Sequence, residues 1–408
     1  MAIPRLSAQR KTGKGLRIPL KFIFLAACLL LFFQTVLMPA FFGSNSENIE
    51  LPKSYTKSDK TSSDSFKKWD SQKSAVLGLA TGYMLRDYKR FVGSLRATGF
   101  PGHIILGIAA NAPSDVVQYL AESNVETHVV EMAEKCTYDG SEGENGEPIT
   151  SWKCLKDYPD WKITWGRFGL YKDWLRDCPD CTDGIILTDV RDAYFQRDPF
   201  QAVTPEQQKP LMVFEEIDLI DTTHWLVDFP VRSCKGEPVG SKPMLCSGSI
   251  MGSREGILDY IEVATEEFDD WKTKPKCRTG LIGDDQSIHN YLYYSNRLKN
   301  VIAIPHRTGP IHVVGYQAAR IFEEAQEAAK AKSNNTNSQP SRNFYVEDDM
   351  WQKWLPEKYG LLEEKTGMIV NLDGSPSSQV HQYDRFGPLI DGWFEVMDKK
   401  DWSYNSGK

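Results

Sequence analysis

From residue 74 onwards, short apolar runs alternate with stretches in which apolar residues recur at every third or fourth position. The short runs predict buried strands, and the longer periodic stretches predict helices. The predicted strands are residues 75–80, 104–109, 126–132 and 185–188, and the predicted helices are residues 87–98, 114–122 and 163–176. Strands that alternate with helices of this length predict an α/β fold with a mainly parallel sheet.

The pattern continues in the second half of the chain. Further strands are predicted at residues 211–214, 301–304 and 311–314, and a further helix at residues 254–269. Residues 325–342 are rich in Ala, Glu, Lys, Asn and Ser, which predicts an exposed helix end that runs into a flexible loop. This loop contains a glycosylation sequon that begins at Asn334, a pattern that chance also produces.

The amino terminus follows another pattern. Residues 1–21 carry six basic side chains and no acidic one, and residues 22–42 carry no charge. As a helix, the uncharged run would span about 31 Å, which is enough to cross a bilayer core, and the basic flank predicts a cytosolic tail. A cleaved signal peptide is the alternative, but the run is longer than the apolar part of such a peptide. We therefore expect a transmembrane signal anchor.

Two regions follow the predicted anchor. Residues 43–73 are polar and lack apolar periodicity, so they predict a flexible stem. Residues 74–408 then form the predicted folded domain, which such an anchor would place in the lumen of the secretory pathway. These predictions describe a single-pass type II membrane protein.

The charge balance limits the partners of the predicted lumenal part. The chain has a net charge of −7, and without the six amino-terminal basic residues the remainder carries −13. Nucleic acids bind to basic surfaces, so we expect no nucleic-acid partner. Recognition of a phosphate group would need a metal ion or a few local basic residues.

The cysteines agree with an oxidising compartment. Seven of them follow the uncharged run, so some should pair and one should stay free. Cys136 and Cys154 are one candidate pair. Cys178 and Cys181 follow a predicted helix, and no second Cys-x-x-Cys completes a zinc site, so we expect a local disulfide or two plain thiols there rather than a redox or zinc centre.

The most concentrated polar signal lies in residues 185–200, which read IILTDVRDAYFQRDPF. The apolar run ends in Asp189, and Arg191 and Asp192 follow it. Acidic residues just beyond a buried strand lie where open α/β sheets hold their ligands, although Asp is also favoured in turns and at helix caps. Carboxylates suit Mg²⁺ or Mn²⁺, and such an ion would neutralise a pyrophosphate group.

Other cofactor motifs are missing from the sequence. The first predicted strand-to-helix turn, which begins at Thr81, lacks the Gly-x-Gly-x-x-Gly spacing of dinucleotide sites, and no Walker loop occurs anywhere. Thr81 is still a candidate cofactor contact, because it lies in the turn that directly follows the first predicted strand. Arg167, on the predicted helix of residues 163–176, is a candidate phosphate contact, although a solvated helix arginine is the simpler interpretation.

Three downstream segments add candidate residues. Residues 246–252 are small, and Gly248 among them would let the backbone approach a sugar or phosphate, unless the segment is only a tightly packed strand. Asp284 and Asp285 begin a predicted helix, which Asp284 would cap. His381 lies in the string VHQYDR, and its neutral imidazole would suit Mn²⁺ unless it is a structural histidine.

Together these motifs resemble those of Golgi type II glycosyltransferases of the GT-A, nucleotide-diphospho-sugar transferase fold, over about residues 74–393. In that family, a DxD motif ends a strand and binds a metal with a UDP- or GDP-sugar. This chain has Asp-Val-Arg-Asp instead. When this sequence is aligned with the family pattern at Asp198-Pro199, Asp192 falls at the position of the second acid of the DxD motif. Asp189 falls one residue before the position of the first acid. The resemblance implies a Rossmann-like, mixed and mainly parallel sheet flanked by helices.

The resemblance also implies roles for individual residues. The candidate metal ligands are Asp192, Asp189 and His381; the candidate contacts to the nucleotide-sugar are Asp189, Arg191, Arg167, Thr81 and Gly248; the candidate catalytic residues are Asp285 and Asp284. Asp189 would contact ribose or a metal-bound water, and Arg191 would offset acidic charge. The Asp285-Gln286-x-x-x-Asn290 pattern resembles that of retaining families, which favours retention of anomeric configuration.

The predicted function is a metal-dependent glycosyltransferase of the Golgi membrane. It would use Mn²⁺ or Mg²⁺ and a UDP- or GDP-sugar, and its acceptor would be a glycan, glycoprotein or glycolipid. Two other functions stay open at this point. One is a non-catalytic domain of the same fold that binds glycans, and the other is a metal-dependent phosphotransferase that acts on sugar phosphates.

Overall fold

The computed structural model of the chain describes residues 68–137, 153–220, 226–274, 277, 284–315, 361–363 and 365–386. All of them belong to Ser65–Lys408, the second of two units into which the chain divides. The predicted tail, anchor and most of the stem lie outside the described residues, as do the predicted loop at 325–342 and its sequon. Among the residues that the structure does describe, no helix has both the length and the apolar character to span a bilayer.

The described residues form ten strands, six longer helices and two short 3₁₀ helices, Ser71–Lys73 and Tyr383–Phe386. The strands are β1 (Ala75–Ala80), β2 (His103–Ala109), β3 (Glu126–Val130), β4 (Gly184–Thr188), β5 (Ala193–Phe195), β6 (Leu211–Leu219), β7 (Pro243–Ser253), β8 (Val301–Ile304), β9 (Ile311–Val313) and β10 (Gln379–His381). The helices are α1, composed of the consecutive segments Leu85–Tyr88, Lys89–Gly93 and Ser94–Ala97 with the middle one π-helical, and then α2 (Ser114–Glu122), α3 (Ile163–Asp177), α4 (Asp228–Lys235), α5 (Arg254–Thr273) and α6 (Asp284–Tyr294).

The central sheet has seven strands in the order β3-β2-β1-β4-β7-β6-β8. Only β7 runs antiparallel to its neighbours, β4 and β6, while the other pairs are parallel. The predicted α/β fold with a mixed, mainly parallel sheet is therefore confirmed. β1 and β4 are buried on both faces, which explains why they read as continuous apolar runs instead of alternating ones.

Two apolar cores lie on the two faces of this sheet. Successive residues of a strand point to opposite faces, so Leu77 of β1 joins one core and Val76 the other. The first core contains side chains of α3 and α5, such as Phe168, and the second contains side chains of α1 and α2, such as Phe91. Helices thus cover both faces and hold the sheet ends in fixed positions.

The order of the strands changes direction at β1. β2 and β3 follow on one side of it, whereas β4 lies on the other side and pairs with β1 in parallel. In open α/β sheets, a crevice forms beyond the carboxyl ends of the strands at such a reversal. Thr81 follows β1 and Asp189 follows β4, so the predicted acidic segment begins at this crevice.

A small sheet of three strands in the order β5-β10-β9 adjoins the acidic segment. β10 is antiparallel to β5 and parallel to β9, and its register sets His381 opposite Ala193. The backbone N–H of Gln382 also donates to the carbonyl of Asp192 at 2.8 Å. This sheet therefore brings the carboxy-terminal histidine segment next to the acids that follow β4.

The disulfides agree with the sequence-based expectations. Cys136 pairs with Cys154, Cys178 pairs with Cys181, and Cys234 pairs with Cys277. Cys246 is the free cysteine among the described residues, and it is buried.

The structure departs from the predicted elements in β6, α5 and α4. β6 and α5 continue beyond the predicted ends, to Leu219 and Thr273. Helix α4 was not predicted. Its sequence is short and polar and contains Pro230, and proline is unfavourable in the interior of a helix. Pro230 lies in the first turn of α4, where the backbone N–H has no partner within the helix, so the proline is tolerated there.

Candidate functional site

The candidate site begins where β4 ends. Asp189 follows the last residue of β4, and its backbone N–H donates to the carbonyl of Gly248 on β7 at 2.8 Å. This bond ties the acidic segment to the neighbouring strand. The Asp189 side chain is half-buried, whereas Asp192, just before β5, is buried.

Asp189, Asp192 and His381 lie together at this point. The Nε2 atom of His381 is 3.5 Å from Oδ1 of Asp192 and 3.9 Å from Oδ2 of Asp189. One ligand atom from each of the three residues lies within 4.8 Å of the others. We call these three residues the triad. The structure thus brings the predicted metal ligands together, and their role as ligands stays a prediction.

The triad fits a divalent cation in three respects. The imidazole is fully buried, and its Nε2 atom faces the two carboxylates at 3.5 and 3.9 Å without a well-formed hydrogen bond, so the deprotonated nitrogen is available to a cation. Gly248 leaves the space open, because a Cβ at that position would lie 2.6 Å from Oδ2 of Asp189 and 2.6 Å from Cε1 of His381. Two carboxylates and one imidazole form a mixed donor set that suits Mn²⁺.

The protonation of Asp192 and His381 is linked. Burial acts to raise the pKa of Asp192, but the adjacent His381 outweighs burial and the pKa is lowered. For His381, burial acts to lower the pKa, but the flanking Cys246 and Asp192 outweigh it and the pKa is raised. A cation that binds Nε2 must therefore displace a proton that the site otherwise favours.

A buried arginine lies on the other side of Asp189. Arg167 of α3 donates to Oδ1 of Asp189, and its Nη2 donates to Oδ2 of Asp285 at 2.9 Å. The hydroxyl of Ser247 donates to the same Oδ2 atom at 3.3 Å. Burial acts to lower the pKa of Arg167, but the two carboxylates outweigh it and raise that pKa, so the guanidinium stays charged.

The interpretation of Arg167 as a solvated helix arginine is therefore wrong. Its side chain is only 12% exposed. Arg167 precedes Tyr171 by four residues, so both lie on the same face of α3, and that face is buried. This spacing was the available signal, because Phe168, Tyr171 and Leu175 recur at helical spacing and form the apolar face of α3.

Arg191 pairs outside the triad, and the side chain of Asp284 is not among those that the structure describes. The side chain of Arg191 is 58% exposed and pairs with Asp384 at 3.0 Å, so its direct ion pair is not with Asp189 or Asp192. Asp284 is the first residue of α6, and its side chain lies outside what the structure describes. Its predicted capping role therefore stays a prediction.

A shallow depression adjoins the triad. Its lining includes Arg167, Tyr171, Thr188, Ser247 and Gly248. The lining combines a guanidinium group and hydroxyl groups with the apolar side chains of Phe168 and Leu187. Thr81 is half-buried in the turn after β1, at the same end of the sheet.

Sequence reasoning missed a second group of residues behind the triad. Cys246 of β7 lies with its Sγ 3.4 Å from Nδ1 of His381. Glu216 of β6 is buried and accepts a hydrogen bond from Nε2 of Gln286 at 2.8 Å. Burial raises the pKa of Glu216 to about 7. No local pattern marks these residues, since they meet only through the pairing of β6 with β7.

Comparisons with known proteins give limited guidance. No protein-family model matches the chain, and no curated protein matches it. Among solved structures, the glycosyltransferase GlyE of Streptococcus pneumoniae TIGR4 aligns at 14% identity and a TM-score of 0.39, over 81% of this chain and 62% of GlyE. The apo form of GlyE aligns at 14% identity and a TM-score of 0.41, over 81% of this chain and 61% of GlyE.

A second group of solved structures has the same level of similarity. An active-site mutant of LgtC aligns at 10% identity and a TM-score of 0.40, over 76% of this chain and 87% of LgtC. The chain thus spans about three fifths of the length of GlyE and most of that of LgtC. At such identities and TM-scores, the function has to be argued from the residues of the site.

Proposed function

We propose that this protein is a metal-dependent glycosyltransferase that moves a sugar from a nucleotide-sugar donor to a glycan, glycoprotein or glycolipid acceptor. The observation that carries the proposal is the meeting of Asp189, Asp192 and His381 at the carboxyl end of β4. This position adjoins the reversal of strand order at β1, where α/β sheets hold their ligands. Carboxylates and an imidazole with an unbonded, buried nitrogen suit a cation at that position.

Asp192 and His381 would hold Mn²⁺ or Mg²⁺, with Oδ2 of Asp189 as the third ligand. When bound, the cation would act as a Lewis acid that stabilises the departing nucleoside diphosphate. The protein is acidic overall, and the charge of the buried Arg167 is already balanced by Asp189 and Asp285. Binding of a diphosphate at this site therefore needs the additional positive charge of a metal ion.

Asp285 would orient the donor sugar or the acceptor. Its carboxylate is held by Arg167 and by the hydroxyl of Ser247, beside the depression next to the triad. A carboxylate that is fixed in this way can accept hydrogen bonds from sugar hydroxyls at a set position. Burial raises the pKa of Asp285 although Arg167 at 2.9 Å opposes this shift, so inversion with Asp285 as general base is the alternative to test. The Asp285-Gln286-x-x-x-Asn290 pattern favours departure driven by the metal and retention of configuration. Asp284 stays the second candidate for a general base.

We propose that the site faces the Golgi lumen and that residues 22–42 anchor the chain as a type II membrane protein. The uncharged run and its basic flank support this proposal. The disulfides Cys136–Cys154 and Cys234–Cys277 also support it, because disulfides persist in oxidising compartments. Expression of the chain with a tag at each end, followed by protease protection of intact Golgi vesicles, tests this topology. Protection of the amino-terminal tag would contradict it.

The central test is calorimetric titration of UDP, GDP and CMP into the full-length protein, with and without Mn²⁺. We expect one nucleoside diphosphate to bind only when Mn²⁺ is present. Loss of that binding in His381→Ala, with the fold retained, would connect it to the triad. If none of the nucleotides binds in a metal-dependent manner, the glycosyltransferase proposal fails.

Hydrolysis of a panel of nucleotide-sugars would then identify the donor. We expect slow, Mn²⁺-dependent release of one sugar, because water can replace the acceptor at the site. Metal-dependent turnover of sugar phosphates that lack a nucleotide would indicate a phosphotransferase instead. Glycan binding without any donor hydrolysis would indicate a non-catalytic domain.

A further inference from the structure

His381 uses its two ring nitrogens on opposite sides. Nε2 faces Asp189 and Asp192, while Nδ1 lies 3.4 Å from Sγ of Cys246. Both His381 and Cys246 are fully buried. Cys246 belongs to β7 of the central sheet and His381 to β10 of the small sheet, so this contact links the two sheets directly behind the triad.

The tautomer of His381 decides whether the triad can bind a cation. A neutral imidazole carries one N–H, and the nitrogen that binds a metal must be the one without it. For Nε2 to present its lone pair to the cation, Nδ1 must carry the hydrogen and donate it to an acceptor. The sulfur of Cys246 is the atom in position to accept that hydrogen bond.

The sulfur of Cys246 is itself held by other groups. The side-chain amide of Gln382 donates to it at 3.7 Å. The backbone of Cys246 is fixed by the pairing of β7 with β6, in which Cys246 lies opposite Phe214. Gln382, Cys246 and His381 thus form a buried group of hydrogen-bonding side chains that ends at the triad.

We propose that Cys246 is a positioning residue of the metal site, which accepts the Nδ1 hydrogen of His381 and so aims Nε2 at the cation. This inference rests on the proposed function, because it assumes that the triad binds a divalent ion. Metal-bound histidines usually donate their second N–H to a carboxylate, a carbonyl or a water, and here the thiol of Cys246 takes that place. A simple packing role for a small buried residue is the competing account.

The test is the Mn²⁺ dissociation constant of the full-length protein, measured from free Mn²⁺ by electron paramagnetic resonance. Loss of a partner behind a metal-bound histidine weakens metal binding by about 10- to 100-fold, so we expect that loss in Cys246→Ala. Cys246→Ser keeps a group that both accepts and donates, so we expect its affinity to stay within about threefold of the original protein. Ser287→Ala, which removes another small buried polar group on α6, serves as the matched control and should bind as the original does.

Two outcomes overturn the proposal while leaving the metal site in place. One is Mn²⁺ binding by folded Cys246→Ala that equals that of the original protein. The other is an equal loss of affinity in the Ala and Ser variants, which would indicate packing alone. If the original protein binds no Mn²⁺, or if His381→Ala binds it equally well, the proposed metal site itself fails, and the inference fails with it.

A second measurement does not depend on folding of the variants. Nitrogen-15 chemical shifts of His381 in the full-length protein saturated with diamagnetic Mg²⁺ report which ring nitrogen carries the hydrogen when the cation is bound. We expect the hydrogen on Nδ1. A hydrogen on Nε2 would overturn the proposal, because Cys246 would then be fixing the tautomer that cannot bind a cation.

Discussion

The two oxygens of Asp189 face different surroundings. Oδ1 pairs with Arg167, which also holds Asp285, and we call these two residues the arginine side. Oδ2 faces His381, which also approaches Asp192, and we call these two residues the metal side. On the arginine side, the positive charge is permanent. On the metal side, it depends on whether the imidazole carries a proton.

This difference shows how one strand end can serve two purposes. A fixed guanidinium neutralises the carboxylates at all times, so the arginine side can orient a ligand without any cofactor. The imidazole is charged or neutral according to pH, so the metal side can exchange a proton for a cation. We therefore expect that changes on the metal side alter ion binding, and that changes on the arginine side alter stability.

Asp192→Ala is the change with the largest expected effect. It removes a buried ligand from the metal side, and we expect Mn²⁺-dependent nucleotide binding to fall by at least about 100-fold while the fold is retained. Calorimetry and circular dichroism would measure the two properties. Asp384→Asn is the matched control, because this acid lies near the triad but pairs with Arg191. Retained binding in Asp192→Ala would remove Asp192 from the site and erase the distinction between the two sides.

Arg167→Met should lower stability and leave Mn²⁺ binding unchanged, which is the opposite of what we expect for Asp192→Ala. It leaves Asp189 and Asp285 without their shared cation, and removal of one partner from a buried ion pair costs about 3–5 kcal/mol. Asp189 is half-exposed, so we expect about 3 kcal/mol in the free energy of unfolding, measured by urea titration in the presence of a chelator. Mn²⁺ binding should persist, because the triad is left intact.

Two further variants show whether the loss of stability in Arg167→Met comes from unpaired buried charge. Addition of Asp285→Asn to Arg167→Met should recover part of the lost stability, because one unpaired buried charge is removed. Arg232→Met breaks an ion pair whose arginine is 60% exposed, and it should cost less than about 1 kcal/mol. A loss of Mn²⁺ binding in Arg167→Met that matches the loss in Asp192→Ala would mean that the two sides form one unit.

The contrast also explains what the sequence reveals and what it hides. β1, β4 and α2 are strongly patterned over their whole length, so local periodicity is enough to predict them. β5 and β10 have three residues each, which is too short for any period to show. The acids of the metal side follow a predictable strand, and they were identified in the sequence for that reason.

Partners that are distant in the sequence were harder to predict. The pairing of His381 with Asp192 was expected only through a family resemblance, since no local pattern connects β10 with the end of β4. Arg167 was assigned to solvent because a single arginine on an amphipathic helix is usually exposed. Cys246 gave no signal, because its contact with His381 depends on how the two sheets meet.

Gly248→Ala tests whether the metal side needs the open space beside Asp189 and His381. The added Cβ would lie 2.6 Å from Oδ2 of Asp189, so the carboxylate or the imidazole must shift. Overpacking of this kind costs about 1–3 kcal/mol, and we expect Mn²⁺ affinity to fall by about tenfold. Gly252→Ala on the same strand is the control, because its Cβ would meet the carbonyl of Pro210 instead. It should lower the melting temperature without a change in Mn²⁺ affinity, and equal Mn²⁺ affinities in Gly248→Ala and the original protein would show that the space is not used.

The smallest expected effect is a difference between two pH dependences of stability. The pKa of His381 is raised above its unfolded value of about 6.5, so its contribution is fully present below that pH and is lost as pH rises through the folded pKa. In the presence of a chelator, the loss of the His381 contribution should lower the free energy of unfolding as pH rises above 6.5. Mn²⁺ binds the neutral imidazole, so the stabilisation by added Mn²⁺ should grow over the same range.

Melting temperatures between about pH 6.5 and 8.5, with chelator and with Mn²⁺, would measure this difference, which we expect to reach about 2–4 °C. Burial raises the pKa of Glu216 to about 7, so Glu216 also ionises in this range, but it does so under both conditions and in the control. That control is His381→Gln, in which the two curves should run parallel. Parallel curves in the original protein would mean that the imidazole does not exchange a proton for a cation, and the metal side would then differ from the arginine side in burial alone.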